Sequence, residues 1–171
     1  MRLALRHGIA LIDDEDWHGR ACMWTWRSSR STVRGTNGAR LCPIYVIGHP
    51  LDSYTATDLE LHRFILDLPP YRERPIDVDH VNRDGLDNRR ENLRLATRAQ
   101  NLANSGGRPG TSRFKGVSFC RQTGRWKVQI TVDGHGRNLG RYATEEEAAM
   151  IYNEAAREAW GEHAYLNVVS G

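Results

Sequence analysis

The stretch "DHVNRDGLDNRRENLRLATRAQN", residues 79–101, opens with an Asp-His pair and carries asparagines at wide intervals behind it. Its surroundings predict a local order of strand, loop, strand and helix. "IDVDHV" and "LRLAT" have the composition of short strands, and the polar stretch between them is rich in turn-forming residues. Thr97 and Gln100, three residues apart, predict a capping box at the start of the helix. This order of elements predicts that Asp79, His80 and Asn101 converge.

The residue types in this stretch suit hydrolysis of a phosphodiester bond. That reaction needs a base to activate water, a cation near the departing oxygen and donors that hold the phosphate. His80 is a suitable base, because the unperturbed pKa of histidine, about 6.5, is close to neutral. Asp79 and Asn101 offer the carboxylate and amide oxygens that Mg²⁺ prefers. Asn92, late in the loop, is better suited to bracing it by hydrogen bonds. A polar loop without chemistry is the alternative interpretation.

Charge is unevenly distributed along the C-terminal part of the chain. Residues 105–141 contain eight arginines and lysines against Asp133 alone, whereas residues 142–171 contain one arginine against six glutamates. This segregation predicts a basic face backed by an acidic one, and such a basic face is typical of a nucleic-acid-binding surface. A solvated run of charge is the alternative.

Three strands and a helix are predicted in the same region, from "KGVSF", "RWKVQITV", "RNLGRYA" and "TEEEAAMIYNEAAREAW". The middle strand alternates apolar and polar residues, so it has one apolar and one basic-polar face. The helix is predicted to be capped by Thr144 and to end at Gly161. Its stripe of Ala148, Ala155 and Ala159, with Ile151 or Tyr152, is expected to lie against the sheet and leave the polar face free for a ligand.

Upstream of a Gly/Pro-rich break at "NSGGRPGTS", residues 104–112, the chain predicts a separate domain. "CMWTWRSS" and "LCPIYVIG" predict strands, and Trp24 and Trp26 are expected to share one face as core residues rather than base-stacking ones. "TATDLELHRFILDL" predicts a helix with Asp58 as N-cap that stops at Pro69.

Two features of this region invite a functional interpretation that the sequence does not favour. His62, within the predicted helix, is expected to be a packed residue near the active site rather than a catalytic one. The acidic run "DDED", residues 13–16, is expected to be solvated rather than metal-binding.

Length and composition describe an ordinary globular chain. With 171 residues, 39% of them hydrophobic and 26% charged, it has room for one large domain or two small ones. No apolar run approaches the roughly 20 residues that span a bilayer, and charges interrupt the N-terminus too often for a signal peptide. Cys22, Cys42 and Cys120 form no CxxC pair, so neither a zinc knuckle nor a disulfide framework is predicted. The expected location is the cytoplasm.

The segment at residues 79–101 resembles the HNH nucleases of the ββα-metal fold class, in the branch common among phage and intron-encoded homing endonucleases. That branch has an Asn 12 residues after the His of its Asp-His pair and another Asn 22 residues after the Asp, and both spacings are met by Asp79, His80, Asn92 and Asn101. The resemblance implies that His80 is the general base and that Asp79 and Asn101 bind the metal. It also implies that Asn92 holds the loop. Many HNH enzymes have His at the last position, but this branch commonly has Asn.

The C-terminal segment, from "FKGVSF" to "WGEHAYLN", is similar to the plant Apetala-two / ethylene-response-factor (ERF) DNA-binding domain, which phage homing nucleases also carry. In that domain a three-stranded antiparallel sheet lies in the DNA major groove and a helix packs behind it. Asn138 and Ser118 stand where the plant proteins usually have Trp and Arg, and the first turn is one residue longer. The target sequence of the plant proteins therefore does not carry over.

The predicted DNA contacts come from three kinds of argument. The resemblance places Lys115, Gln129 and Thr131 at positions that contact bases or phosphates. Strand parity alone adds Arg125 and Lys127. The remaining predicted DNA-binding residues, most of them expected to contact the DNA backbone, are Arg113, Arg121, Arg137, Asn138 and Arg141.

The prediction is an α+β protein with four segments: an N-terminal β-rich extension (residues 1–57), a ββα-metal HNH nuclease core (58–104), a Gly/Pro linker (105–112) and an Apetala-two/ERF-like DNA-binding domain (113–171). The predicted activity is that of a metal-dependent DNA endonuclease of the HNH homing type, using a His general base and one divalent cation, Mg²⁺ with Mn²⁺ as a substitute. One active site per chain predicts a monomer that nicks one strand of double-stranded DNA.

Two alternatives to this function stay open. One is a DNA-binding regulatory protein with an idle nuclease fold. The other is a nuclease acting on structured RNA, which a major-groove sheet disfavours because A-form RNA closes that groove to side chains. No membrane and no protein partner are expected.

Overall fold

The computed structural model describes residues 1–6, 8–30, 44–50, 59–70, 76–107 and 110–169. Over these residues the chain combines helices with small antiparallel sheets, which confirms the predicted α+β class. It divides into two compact units, Met1–Ala96 and Thr97–Gly171. In the part of the chain that is described, no helix is both long and apolar enough to cross a membrane. Asp58, Cys42 and residues 108 and 109 of the predicted linker lie outside the described residues.

The first unit consists of short strands and helical turns. In chain order its elements are β1 (Arg2–Leu5), β2 (Gly8–Leu11), α1 (Asp14–Gly19), a 3₁₀ turn (Ala21–Met23), β3 (Trp24–Arg30), β4 (Ile44–Pro50), β5 (Leu59–Glu60), α2 (Leu61–Ile65), β6 (Asp77–His80), a second 3₁₀ turn (Arg90–Asn92) and β7 (Leu93–Ala96). β1 pairs with β2, β4 pairs with both β3 and β5, and β6 pairs with β7, all antiparallel. The four strands predicted in this unit are present.

Aromatic side chains pack together in the core of this unit. The rings of Trp24 and Trp26, two residues apart on β3, stack with centroids 5.4 Å apart. Phe64 of α2 packs against both, at 4.8 and 5.4 Å. All three rings belong to one hydrophobic cluster, so the interpretation of the tryptophans as core residues is confirmed.

The helix predicted over "TATDLELHRFILDL" is shorter than expected. It begins at Leu61, with Glu60 at the N-cap position, and ends at Ile65. Leu59 and Glu60 instead extend the sheet, because they pair with Gly48 and Ile47 of β4. After the helix, Asp67 adopts a left-handed backbone conformation (φ 55°) that turns the chain before the prolines.

The second unit is a three-stranded sheet with helices. Its elements are α3 (Arg98–Asn104), β8 (Val117–Cys120), β9 (Arg125–Val132), β10 (His135–Tyr142), α4 (Glu145–Trp160) and a 3₁₀ turn (Gly161–His163). β9 lies between β8 and β10, and both pairings are antiparallel. At the start of α3, Gln100 N donates to Thr97 Oγ1 at 3.2 Å and Thr97 N donates to Gln100 Oε1 at 2.8 Å. The predicted strands and capping box are therefore confirmed.

The central strand of this sheet has the two faces that its alternation predicts. Val128, Ile130 and Val132 are buried in one cluster with α4, whereas Gln129 and Thr131 are exposed. Thr144 is the N-cap of α4, and its side chain accepts from Glu147 N at 3.1 Å, as predicted. Alternating residues of a strand point to opposite faces, so the helix covers the apolar face and the polar face is open.

The face that α4 buries is rotated from the predicted stripe. Ala148, Ala149, Tyr152 and Ala156 are buried, whereas Ala155 and Ala159 are only partly so. The reason is Tyr152, whose ring lies directly against the backbone at Gly116. A Cβ on Gly116 would lie 2.1 Å from that ring, and the residue has a φ of +77° that favours glycine.

Candidate active site and nucleic-acid interface

The Asp-His pair occupies the end of β6 and faces β7. Asp79 lies opposite Arg94, and His80 lies opposite Leu93. All four residues of β6 are buried, although three of them are ionisable. Buried polar side chains need hydrogen-bond partners, so the contacts within this hairpin decide what the site can do.

The carboxylate of Asp79 is fixed by an arginine on the neighbouring strand. Arg94 donates to Asp79 Oδ2 from Nε at 2.8 Å and from Nη2 at 2.7 Å. Only 5% of the Asp79 side chain and 16% of the Arg94 side chain is exposed. Because removal of either partner would leave a buried charge uncompensated, this ion pair strongly favours one orientation of the carboxylate.

Asn88 determines the hydrogen-bonding role of His80. Its Oδ1 lies 3.4 Å from His80 Nε2, while its Nδ2 donates to Gly85 O at 3.3 Å. The atom that faces the imidazole is therefore an acceptor, so a neutral ring satisfies it by carrying its proton on Nε2. In that tautomer the basic lone pair is on Nδ1. Asn88 is itself fully buried.

The surroundings of His80 favour its neutral form. Burial lowers its pKa, while the hydrogen bond to Asn88 and the charges of Asp79, Asp84 and Asp87 act in the opposite direction. A neutral imidazole is the form that accepts a proton from water. The same carboxylates would stabilise the imidazolium once it forms.

A second buried histidine lies beside the first. The ring of His62, on α2, meets the ring of His80 edge to face, with centroids 5.2 Å apart. Burial, the charge of His80 and the charge of Arg63 lower the pKa of His62 to about 3. His62 is therefore neutral at physiological pH. Its interpretation as a packed residue is confirmed, and its ring lies beside that of His80.

Asn92 joins the two ends of the loop between β6 and β7. Its Oδ1 accepts from Asn82 N at 2.9 Å, and its Nδ2 donates to Asn82 Oδ1 at 3.0 Å and to Asp87 O at 2.7 Å. Its backbone carbonyl accepts from Val81 N at 2.9 Å. These bonds close the loop that starts directly after His80.

Asp87 is a second organising residue of this loop. Arg89 donates to its two oxygens at 2.8 Å each, and Asn82 Nδ2 donates at 2.8 Å. The hydrogen bonds from Arg89 chiefly, with that from Asn82, lower the pKa of Asp87. Asp87 therefore stays charged near His80 at neutral pH.

The acidic run at residues 13–16 has a structural role that the expectation of a solvated run missed. Asp16 is buried, and Arg90 donates to its two oxygens at 2.8 and 2.6 Å. Asp13 accepts from Arg90 N at 2.8 Å. The expectation is wrong for Asp16, because the arginine of the loop compensates its charge inside the fold.

The fourth predicted residue of the motif lies in the other unit. Asn101 belongs to α3, where its backbone N donates to Thr97 O at 3.0 Å. Asp79, His80 and Asn92 lie on or beside the β6–β7 hairpin of the first unit. The convergence of Asn101 with these three residues stays a prediction.

The open face of the C-terminal sheet carries predicted DNA-binding residues in adjacent rows. Lys127 lies between Ser118 and Arg141 in the register, and Gln129 lies opposite Asn138. The side chains of this face are exposed or half-buried. Cationic and amide side chains are thus grouped on one accessible surface.

Two predicted DNA-binding residues lie off that face. Arg137 is paired with Ile130, so the register places it on the helix side of the sheet, although it is exposed. A bulge between Asn138 and Gly140 shifts the register. Arg113 is exposed and donates to Glu146 of α4 at 3.1 Å.

Lys115 is engaged in a different way from the other cations of the set. It is half-buried, and its Nζ donates to the carbonyls of Leu102, Ala103 and Ser105 at 3.3, 2.6 and 2.6 Å. Its predicted contact with DNA stays a prediction.

The sequence interpretation missed the side chains that hold the predicted site. Asn88 and Asp87 stood within a polar loop that offers no periodicity to separate them from their neighbours. Arg94 was missed too, although the strand pairing could have indicated it. When the two strands pair antiparallel with His80 opposite Leu93, Arg94 lies next to Asp79.

Comparison with known proteins supports a nuclease segment in the middle of the chain. A family model described as HNH endonuclease matches residues 71–103. The chain is 37% identical over 124 residues to an uncharacterized HNH endonuclease of Acanthamoeba polyphaga mimivirus, which covers 71% of this chain and 64% of that protein. The chain thus spans somewhat less than two thirds of this relative.

Other relatives match smaller parts of the chain. It is 39% identical over 66 residues to an AP2-like ethylene-responsive transcription factor of Arabidopsis thaliana, covering 39% of this chain and 14% of that protein. Similarity of this kind falls in the C-terminal region. Protein 3.8 of Escherichia phage T7 is 31% identical over 88 residues, which is 51% of this chain and 72% of that protein. No solved structure matches the chain.

Proposed function

We propose that the chain is a metal-dependent endonuclease acting on double-stranded DNA, because a family model described as HNH endonuclease matches residues 71–103 and the C-terminal region resembles AP2-like transcription factors. The observation that carries this proposal is the buried β6–β7 hairpin. In it, Asp79 and His80 are adjacent, and a dedicated side chain holds each of them, Arg94 for the aspartate and Asn88 for the histidine.

The proposed metal ligands suit a hard divalent cation, Mg²⁺ with Mn²⁺ as a substitute. Among the described residues, no group of three or more His, Cys, Asp or Glu side chains is arranged to hold a metal ion. The proposed pair is instead one carboxylate, Asp79, and one amide, Asn101, a donor set that leaves room for water and phosphate oxygens. The bound cation would stabilise negative charge on the leaving oxygen.

His80 is proposed as the general base. Its Nδ1 would take the proton of the attacking water, while Nε2 donates to Asn88 Oδ1 and keeps the ring in that tautomer. The charges of Asp79, Asp84 and Asp87 favour the imidazolium that results. Neutral His62 packs against the ring without adding a competing positive charge.

Asn92 is proposed to keep the site in shape rather than to react. Its hydrogen bonds to Asn82 and Asp87 close the loop that begins at His80. A base has to stay within hydrogen-bond reach of the water it activates, so the loop geometry contributes directly to the rate.

The C-terminal sheet is proposed to bind DNA and to set the position of the cut. Its exposed face supplies groups for base edges and phosphates: Arg125, Lys127, Gln129, Thr131, Asn138 and Arg141. Arg121, in the turn after β8, is proposed to contact the DNA backbone. Arg113 and Arg137, off that face, are proposed to contact the DNA backbone. A single Asp-His pair per chain supports nicking of one strand by a monomer.

A DNA-binding regulatory protein with an idle nuclease fold is the second candidate. The observation that favours it is the ion pair between Arg94 and Asp79. In this pair the arginine compensates the charge of the buried carboxylate without a metal. A protein that never binds a metal would need such compensation as well.

Conversion of supercoiled plasmid separates the two candidates. The nuclease produces nicked circles with Mg²⁺ or Mn²⁺ and none in EDTA. Intact plasmid with either metal, on DNA that the protein binds in a mobility-shift assay, supports the regulatory protein. A structured RNA run in parallel tests the substrate, since preferential cleavage of the RNA contradicts the proposal.

A further inference from the structure

The helix that carries Asn101 ends against the ammonium group of Lys115. Lys115 Nζ donates to Ala103 O and Ser105 O at 2.6 Å and to Leu102 O at 3.3 Å. The last carbonyls of a helix have no partner within it, and a cation at this end also meets the negative end of the helix dipole. Lys115 therefore acts as a C-terminal cap of α3.

The backbone of Lys115 is held in turn by a pair of buried asparagines. Asn167 accepts from Lys115 N at 2.7 Å and donates to Lys115 O at 3.1 Å. Asn153 of α4 donates to Asn167 O at 2.9 Å and accepts from Asn167 N at 2.7 Å. Four hydrogen bonds thus fix the point from which the lysine side chain reaches α3.

Two further residues, Tyr165 and Gly107, contact the same junction. Tyr165 N donates to Ala103 O at 3.2 Å, and its ring centroid lies 5.5 Å from Lys115 Nζ. At Gly107, an added Cβ would lie 3.1 Å from Lys115 Cα, so the chain after α3 passes directly against the lysine. α3 is therefore anchored at several points within the C-terminal unit.

We propose that Lys115 is a positioning residue for the nuclease reaction: it fixes the end of the helix that carries Asn101 and ties that helix to the sheet that reads DNA. This rests on the proposed function, in which Asn101 is a metal ligand. It gives Lys115 a role other than the DNA contact predicted from the resemblance, because its ammonium group donates to three carbonyls of this junction.

Hydrogen exchange on the metal-free protein tests the anchor without any need for activity. Loss of the ammonium in Lys115→Met is expected to speed amide exchange in α3 by about tenfold, with exchange in β8–β10 unchanged. Lys115→Arg keeps a cationic donor and is expected to recover most of the protection. Arg157→Met removes an exposed cation of α4 and serves as the matched control. Unchanged exchange of α3 in Lys115→Met overturns the proposal.

The metal requirement of nicking tests the consequence for Asn101. At saturating DNA, Lys115→Met is expected to raise the half-saturating Mn²⁺ concentration by about tenfold, while the DNA Kd in EDTA stays within about twofold of wild type. Weakened DNA binding with an unchanged Mn²⁺ requirement overturns the proposal and makes Lys115 a DNA contact. Faster exchange of α3 with an unchanged Mn²⁺ requirement also overturns the positioning role.

The failure of the proposed function is distinguishable from the failure of this inference. If the wild-type protein does not nick DNA with either metal, the proposed nuclease fails and the link to catalysis is overturned with it. The exchange data then decide on their own whether Lys115 anchors α3.

Discussion

The β6–β7 hairpin and the β8–β10 sheet place their polar side chains in opposite ways. Every residue of β6 is buried, including Asp79 and His80. In β9 the buried residues are the apolar Val128, Ile130 and Val132, and the polar residues alternate with them towards solvent. Both are antiparallel and built from short strands, so backbone geometry does not explain the difference.

The two regions differ in whether their polar side chains are removed from water. A buried polar group is destabilising unless it is hydrogen-bonded, and the hairpin meets that condition with Arg94 and Asn88, which fix the orientation of Asp79 and His80. Groups fixed in this way suit a reaction that needs one geometry. The exposed cations of the sheet keep their rotamer freedom, which suits contact with a large charged partner.

Substitution of His80 gives the largest expected effect and tests the division of roles directly. His80→Ala is expected to slow plasmid nicking by about 10²- to 10⁴-fold, because the base is lost. The DNA Kd in EDTA is expected to stay within about twofold of wild type, since the sheet is unchanged. His135→Ala, which removes an exposed histidine at the start of β10, is the matched control. If His80→Ala weakens DNA binding as much as it slows nicking, the two roles are not separate.

A pair of glycines tests the packing under the sheet. Gly116 and Gly134 have nearly the same φ, +77° and +78°, but a Cβ meets the Tyr152 ring at Gly116 and nothing within 4 Å at Gly134. Gly116→Ala is expected to lower the free energy of unfolding by about 3 kcal/mol, from strain and overpacking together. Gly134→Ala is expected to lower it by about 1 kcal/mol, from strain alone.

Urea denaturation of both glycine variants measures this difference. Hydrogen exchange then locates it, and the loss is expected in β8–β10 and α4. Equal losses for the two variants would mean that the contact between Tyr152 and Gly116 does not hold α4 on the sheet.

Much of the sheet region could be predicted because its signals are local. Alternation along β9 is determined by residues two apart, and the caps at Thr97 and Thr144 depend on residues three apart. The stacked pair Trp24 and Trp26 is also local. Short-range patterns of this kind can be read from a single sequence.

Several contacts of the fold could not be predicted because their partners come from distant segments or from loops without a periodic pattern. Arg90 pairs with Asp16 across 74 positions, and Lys115 caps the end of α3 from a sequence segment that carries no periodicity. Glu60 pairs with β4 in a strand although its own neighbours read as helix. In each case the structure depends on a tertiary contact that no local sequence pattern indicates.

The pH dependence of stability tests the buried character of the hairpin region. Because the pKa of His62 is lowered to about 3 in the fold, against about 6.5 in the unfolded chain, the unfolded chain binds one more proton in between. Stability is therefore expected to fall as the pH drops from about 6.5 towards 3, by at most about 1.4 kcal/mol per pH unit from this residue. In His62→Leu that contribution disappears.

The comparison of urea midpoints between pH 4 and pH 7 isolates the histidine, since carboxylates titrate alike in both proteins. The wild-type curve is expected to be the steeper one. His135→Leu, which removes an exposed histidine, is expected to follow the wild type. Parallel curves for wild type and His62→Leu would show that His62 is not held neutral in the fold.

The smallest expected effect belongs to a single cation of the sheet. Lys127→Met removes one charge from the open face, where Lys127 lies between Ser118 and Arg141. DNA affinity is expected to fall about three- to tenfold, and the slope of log K against log salt is expected to fall by about 0.9, the contribution of one phosphate. The nicking rate at saturating DNA should not change, because the reacting groups of the hairpin are intact. Arg157→Met also removes one charge, but from α4 on the opposite side of the sheet, and its slope should match wild type. An equal fall in the salt slope for both variants would show that the open face is not the DNA-binding face. The contrast between an exposed DNA-binding sheet and a buried catalytic hairpin would then be wrong.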